Sequence, residues 1–411
     1  MTLLNRSANA DGTDSCAILS LSHTIHFMTL ASTYHAARAV AATIEAHFAE
    51  HLADARARGE SGLAQTPSAS AIERMIDATF WASFRPEEGR FPKISLAFVP
   101  PEEARQPLTF EQRLPLNTAT LTKLAPAVER PGIHLGVWRE QSGPDEELYV
   151  WGATRKVPSL GFVLEDIEPG LLVIKHRRAA GFGKFANVAV LKGEQVKIID
   201  EQGQSLPECP DLLKSLRAFT GREQSQPNVN GLVQLAASMR AHGQGGTLLV
   251  VPDKSEQWRE SIVHPVLYSI VPPFSRLANL IIQGAARVGE NEWEAALRNA
   301  VDVVAGLTAV DGATVISSTY EVLAFGAKIV RGPGREPVEQ MMLTEPIAGN
   351  QPDVVHPVQH GGTRHLSAAQ FIYDQRDGLG LVASQDGRFT VFAWSPCEQM
   401  VHAHRVDALL M

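Results

Sequence analysis

Between residues 32 and 58 the apolar side chains Ala36, Val40, Ile44, Phe48 and Leu52 recur every fourth position, which predicts an amphipathic helix ended by Gly59. Its polar side carries His35, His47 and His51. His47 and His51 have a chelating spacing, but no carboxylate or cysteine pattern joins them, so they read as solvated helix-face residues. A small-residue linker, 62 to 70, leads to a second helix over 71 to 84, closed at Arg85-Pro86 because the residue before proline avoids the helical region. The aromatic cluster Phe80, Trp81 and Phe84 is expected to pack on the first helix. Residues 94 to 99 predict a strand, and 100 to 131 are too proline-punctuated to assign. Short strands then follow over 133–139, 147–154, 170–176, 187–192 and 195–199, with a hairpin-like Gly193-Glu194. The pattern is a mainly helical region, 1–130, followed by a small antiparallel β-rich module, 131–205.

A connection rich in Pro, Gln and Ser, 206–228, precedes a last domain, 229–400, in which helices and strands alternate. Helices are predicted over 231–241, within 274–304 and over 366–373, and strands over 246–251, 313–317, 321–325, 379–383 and 388–393. That order implies an α/β domain, a mixed sheet flanked by helices.

Composition narrows the picture. A chain of 411 residues with 44% hydrophobic content supplies two or three domains rather than one core. The net charge of −8, from 37 basic and 45 acidic residues, excludes a general nucleic-acid binder, since no broad basic surface is available. Cys16, Cys209 and Cys397 are odd in number, far apart and without metal-type spacing, which reads as reduced thiols in a cytoplasmic protein. The apolar stretch 16–31 is short, broken by His23, Thr24 and His26, and lacks a basic flank, so neither a membrane span nor a signal peptide is expected. Helical sequence begins just after Met28, which makes that residue a candidate start of translation. The dense basic cluster Lys175-His176-Arg177-Arg178, followed by Gly181-Phe182-Gly183-Lys184, reads as a charged hairpin edge or as a secondary phosphate site.

Two polar interruptions carry the chemistry. Asp311-Gly312-Ala313 follows the apolar run 301–310 and precedes the β-branched Thr314-Val315-Ile316, which places a carboxylate where a loop enters a sheet and can hold a metal ion. Asp-Gly is also a common hairpin pair. Gly361-Gly362-Thr363-Arg364-His365 joins two glycines, a hydroxyl, a guanidinium and an imidazole ahead of a helix. Backbone N–H groups, a helix N-terminus and a planar guanidinium together suit phosphate. Asp353, His356, His360 and His365 also crowd a short span, and imidazole plus carboxylate suits Zn or Fe, although the surrounding prolines and glycines indicate loop.

These motifs resemble those of the diadenylate cyclase family, the synthases of cyclic di-AMP, whose signatures read Asp-Gly-Ala and Gly-Thr-Arg-His-Arg. Residues 362–365 match four of the latter five, with Leu366 in place of the final Arg. Gly245-Gly246-Thr247-Leu248-Leu249-Val250-Val251, behind the helix 231–241, resembles the family's first core strand, and Ser384-Gln385-Asp386-Gly387 resembles its Ser-Glu-Glu turn. The resemblance runs from 229 to 396 and says nothing of residues 1–228.

It implies an α/β fold and a reaction in which two protomers hold two ATP molecules face to face. Each 3′-hydroxyl attacks the other α-phosphate, so a homo-oligomer and Mg²⁺ or Mn²⁺ are expected, and no nucleic-acid or membrane partner. Asp311 would hold the metal, Gly312 and Ala313 would keep the wall small, and Arg364 and His365 would complete the catalytic set. Gly361, Gly362, Thr363, Arg364, His365 and Ser384 would hold the nucleotide. Leu366 removes a cation and Gln385 an acid, so a nucleotide sensor that binds without turnover is the alternative. An insertion between Trp258 and Thr308, with Tyr268, Pro272-Pro273 and Phe274, is expected either to reshape the base pocket or to be plain core.

Overall fold

The apolar stripe of the first segment does form a helix, α1 (His35–Ala57), and the second helix, α2 (Ala69–Ser83), follows with the Ser68 hydroxyl capping Ala71 N–H. In the computed structural model, residues 33–104, 106–140, 147–178, 185–200, 209, 230–287 and 291–411 are described. Met28, Cys16, Gly181 to Lys184 and, except for Cys209, the connection 206–228 lie outside them.

Behind α1 and α2 stands an eight-stranded sheet. Its members are β1 (Ser95–Phe98), β2 (Leu108–Pro115), β3 (His134–Glu140), β4 (Glu147–Thr154), β5 (Phe162–Glu168), β6 (Leu171–Arg177), β7 (Phe185–Lys192) and β8 (Gln195–Ile198), in the order β2-β4-β3-β1-β5-β6-β7-β8. A short helix, α3 (Thr118–Leu124), separates β2 from β3. The sheet is mixed, because β1 runs parallel to β3 while its other neighbour, β5, is antiparallel. β1 and β2, from the stretch read as mainly helical, therefore hydrogen-bond to the strands of the β-rich module. Ile44 and Phe48 of α1, Ile72 and Met75 of α2, Leu96, Leu135, Leu164 and Leu172 bury together as one core. His47 and His51 are half-buried rather than solvated, with ring centroids 4.4 Å apart and His51 5.4 Å from His176 of β6. On the other face Trp151 lies over Gly136, where a Cβ would fall 2.1 Å from the indole ring, and its Nε1 donates to Val99 O at 2.8 Å.

The second sheet has nine strands: β9 (Gly246–Val251), β10 (Tyr268–Phe274), β11 (Ala313–Ser317), β12 (Val322–Ala327), β13 (Met341–Thr344), β14 (Asp353–Val355), β15 (Leu379–Ala383), β16 (Phe389–Ser395) and β17 (Met400–Arg405). Their order is β10-β12-β11-β9-β15-β16-β17-β13-β14. Leu235 of α4 (Gly231–Ala241), Leu277 of α5 (Arg276–Arg287) and Leu297 of α6 (Asn291–Leu307) pack with Leu248, Val250 and Val391 on one face. Phe371 and Ile372 of α7 (Thr363–Asp374) pack with Leu249, Val315 and Phe392 on the other. The α/β layout expected for this half is present. The two sheets join at β8, where Asp200 N–H donates to Pro346 O and Ala348 N–H to Ile198 O. Among the described residues, no helix is long and apolar enough to cross a membrane.

Two kinds of buried titratable group set opposite pH limits on this fold. Asp166, 5% exposed, has neither carboxyl oxygen hydrogen-bonded among the described residues, and burial first, then Glu168, push its pKa up to about 7 against the pull of Lys93. His404 is held well below its ordinary value by burial and by neighbouring His402. A raised Asp pKa means that the folded state binds the extra proton, so stability falls as pH rises from about 4 to about 7. A lowered His pKa means that the unfolded state binds it, so stability falls as pH drops below the ordinary 6.5. Asp166→Asn should therefore gain in melting temperature over the native chain progressively from about pH 4 to about pH 7 and no further above that, an advantage of at most on the order of 4 kcal/mol. A pH-independent difference in thermal denaturation would remove the ionisation argument.

Candidate functional site

The strand register brings the two motifs together. β11 pairs in parallel with β9 so that Ala313 lies opposite Thr247, and β15 runs antiparallel to β9 so that Ala383 lies opposite Gly246. The starts of β9 and β11 and the end of β15 thus meet at one end of the sheet. The N-terminus of α7 points into the same corner, with Gly362 as N-cap and no side chain capping it. The first turn closes through Gly362 O, which accepts from His365 and Leu366 N–H, leaving the N–H groups of Thr363 and Arg364 with the partial positive charge of the helix end. The helix begins three residues earlier than the sequence pattern predicts, which puts Thr363 and Arg364 inside its first turn.

The result is a cavity of about 480 Å³ lined by Thr247, Asp311, Gly312, Ala313, Ala327, Lys328, Ile329, Gly362, Thr363, Arg364, His365, Ser367, Val382, Ala383 and Ser384. Every expected site residue lines it except Gly361. That glycine is packed against His365 instead: a Cβ there would fall 2.4 Å from the histidine Cβ. Gly245, at φ +74°, lets the Arg364 guanidinium and the Gln385 side chain come close to the backbone, since its Cβ would lie 3.2 Å from Arg364 Nη1 and 3.3 Å from Gln385 Cγ.

The charges are arranged unevenly. The Asp311 side chain is 89% exposed, and Lys328 Nζ lies 3.5 Å from its Oδ2. Lys328 is a second cation facing the cavity that the motif reading missed; only the β11–β12 pairing, with Ala313 opposite Ala327, locates it. His365 is buried, its Nε2 3.3 Å from Thr390 Oγ1 and its ring edge-on to Phe392. Burial lowers its pKa, Asp386 opposes, and Arg405, Arg388 and Arg364 push it down further. His365 is therefore a neutral ring at pH 7, suited to orienting the corner rather than to adding positive charge. Burial would raise the Asp386 pKa, but the Ser384 hydroxyl and the Arg388 N–H and guanidinium hold it below the usual range. Ser384, expected on nucleotide, lines the cavity from the start of this turn, its backbone N–H donating to Arg388 O at 2.9 Å. Leu366, where a cation was expected, packs against the apolar cluster beneath α7.

Other sequence candidates lie elsewhere. Among the described residues no group of three or more His, Cys, Asp or Glu side chains is placed to hold a metal, so Asp353, His356, His360 and His365 do not form a Zn or Fe site. Trp258 is core, at 2% exposure. Pro272, Pro273 and Phe274 line a separate groove beside α5, and Tyr268 stacks on Phe325 with centroids 4.7 Å apart.

An anion in this corner should depend on Arg364 more than on Arg178, whose Nε donates to Phe185 O at 3.3 Å and which does not line the cavity. Arg364→Ala is expected to weaken nucleotide binding about ten- to a hundredfold, the loss of one charged hydrogen bond, and Arg178→Ala to leave it within about twofold. Calorimetric titration of both variants decides; a larger loss at Arg178 would move the site to the first sheet.

Residues 61–155 match a family model described as a probable sensor domain, DACNV. The matched stretch holds α2, α3 and β1 to β4, four strands that are neighbours in the first sheet. No curated protein matches the chain. Among solved structures, a hypothetical membrane spanning protein from Bacillus cereus is 15% identical over 46% of this chain and 68% of its own, with a TM-score of 0.24. A double mutant of DacA from Staphylococcus aureus is 14% identical over 42% of this chain and 83% of its own, with a TM-score of 0.22. At such identities and scores neither likeness bears on activity; the sensor-domain match is confined to the N-terminal half.

Proposed function

We propose that the C-terminal half binds ATP and condenses two molecules into cyclic di-AMP and two pyrophosphates, under the control of a sensor-type N-terminal half. The observation that carries this reading is the meeting in one cavity of the Asp311 carboxylate and the Thr363–Arg364 helix start, from motifs about fifty residues apart. Likeness of residues 61–155 to a probable sensor domain supports the regulatory part.

Thr363 and Arg364 would hold phosphate oxygens through the open N–H groups of the first turn, the hydroxyl and the guanidinium. Gly312 and Ala313 leave the floor beside Asp311 shallow. Asp311 is a single exposed carboxylate, which fits Mg²⁺ or Mn²⁺, ions that take one or two carboxylates and complete their shell with substrate phosphates and water. Such an ion would supply charge stabilisation at the α-phosphate and a more acidic 3′-hydroxyl. Lys328, with its Nζ 3.5 Å from Asp311 Oδ2, would compete with such an ion for the carboxylate, and its ammonium would be within the cavity to meet phosphate. The 3′-hydroxyl loses its proton to water and its oxygen forms a bond to the α-phosphorus of the other nucleotide, as the bond from that phosphorus to the α–β bridging oxygen breaks and pyrophosphate leaves. One cavity holds one ATP, so two protomers must face each other.

A second reading is favoured by Leu366 and Gln385, which replace an expected cation and acid: a nucleotide sensor without turnover. Purified protein incubated with ATP and Mn²⁺ separates the two. Cyclic di-AMP detected by mass spectrometry, rising more than linearly with protein concentration, is expected. ATP binding without product at dimer-forming concentrations would leave only the sensor, and the absence of any thermal shift with millimolar nucleotide would remove the site.

A further inference from the structure

Cys209 and Cys397 are 188 positions apart, yet their Sγ atoms lie 2.6 Å from each other. That is well inside ordinary sulfur contact and only about half an ångström beyond a disulfide bond. The two differ in access. Cys397 is exposed, in the turn between β16 and β17, while Cys209 is 1% exposed and belongs to the apolar cluster shared by α4, α6 and the nine-stranded sheet. In sequence Cys209 lies between the end of β8 at Ile198 and the start of α4 at Gly231, on the connection between the two halves.

We propose that Cys209 and Cys397 form a reversible thiol–disulfide pair that, when oxidised, fastens the connection between the halves to the β16–β17 turn. A low-molecular-weight disulfide of the glutathione class is the oxidant. The accessible Cys397 thiolate attacks one sulfur of that disulfide, forming a mixed disulfide and expelling one thiolate. The Cys209 thiolate then attacks Cys397 Sγ, forming the internal bond and expelling the second. Two electrons pass from the protein sulfurs to the oxidant, and the two thiol protons end on the two released thiols. The division of roles follows exposure: the reachable sulfur meets the oxidant, and the buried one, already in place, resolves the adduct before a second oxidant molecule arrives. Their separation of 188 positions conceals this proximity in the sequence, where the thiols read only as reduced and far apart.

The full chain should be equilibrated in reduced and in oxidised glutathione, alkylated and mapped by mass spectrometry without reduction. A peptide cross-link between positions 209 and 397, with an intact mass lower by two hydrogens, is expected in the oxidised sample. The oxidised chain should also melt several degrees above the reduced one. Cys397→Ser and Cys209→Ser should each abolish the cross-link and the difference in melting, with Cys209→Ser accumulating the glutathione adduct on Cys397. A stable adduct on Cys397 of the native chain, a cross-link to Cys16, or complete alkylation of both thiols in the oxidised buffer would overturn the proposal. These readouts involve no nucleotide, so they stand or fall apart from the proposed activity.

Discussion

Asp311→Asn is expected to reduce cyclic di-AMP formation by at least about a hundred- to a thousandfold, the scale on which a single preorganised charge at a developing anion acts, while the melting temperature changes little. The two halves of that expectation have different grounds. Asparagine keeps the shape of the side chain but is neutral, so it is a poor ligand for a hard divalent cation. Stability should be nearly indifferent, because the carboxylate is 89% exposed and its only ion pair among the described residues is with Lys328, itself 65% exposed, and exposed pairs contribute little. Product formation by mass spectrometry, beside thermal denaturation of the same preparations, makes the comparison. Lys328→Met is the informative companion: removing the competing ammonium should lower the Mn²⁺ concentration needed for half-maximal rate. Undiminished product from Asp311→Asn would mean that the carboxylate is only a turn residue, as an Asp-Gly pair can be.

The elements that sequence periodicity reveals are those whose faces are chemically distinct. The stripe of α1 and the run 246–251 carry their burial in their residue types, and both are where the pattern puts them. β5 is hidden because Glu165 and Asp166 interrupt its apolar residues, yet Glu165 is satisfied across the sheet by Lys175 at 2.6 Å. β10 contains Pro272-Pro273, a signature against a strand, but it lies at the sheet edge where a missing N–H costs least. β17 reads as polar because of His402 and His404, both buried in the fold, with His404 Nδ1 engaged by the Thr344 hydroxyl and His402 Nε2 by the Glu398 carboxylate. In the site, the motif residues were legible because glycines and charges cluster locally. The contacts that depend on register, Lys328 beside Asp311 and Thr390 behind His365, leave no local trace. Neither does the difference between a histidine facing ligand and one turned into the core.

Gly312→Ala should damage both fold and site, and the reason lies in the backbone rather than in any side chain lost. Gly312 sits at φ +109°, a conformation that an L side chain resists, and a Cβ there would lie 2.5 Å from Gly326 C, 2.7 Å from Gly326 O and 2.9 Å from Ala327 N. These are main-chain atoms of β12, so no rotamer change relieves the clash. Nor can β12 retreat freely, because Gly326 is itself backed by the Tyr268 ring, with Cδ2 2.8 Å from where its own Cβ would be, and that ring is stacked on Phe325. The methyl must therefore push β11 and β12 apart at their Asp311–Lys328 end, where the pairing is already irregular between Ala313 and Val315. A cost of about 2–4 kcal/mol is expected from strain plus overpacking, along with a loss of ATP affinity of about tenfold or more as the floor of the cavity shifts. Gly387→Ala separates the two contributions. Its φ of +83° is similarly unfavourable, but nothing lies within 4 Å of the added Cβ, so only the conformational strain of about 1–2 kcal/mol remains. Gly362→Ala, in ordinary backbone space with nothing within 4 Å, should leave the fold intact and report on the cavity mouth alone. Thermal denaturation and ATP titration of the three variants should rank Gly312→Ala as the most damaging on both measures. Equal melting temperatures for Gly312→Ala and Gly387→Ala would show that the β11–β12 edge yields to the methyl, and that the close approach of Gly312 to Gly326 does not hold the site in shape.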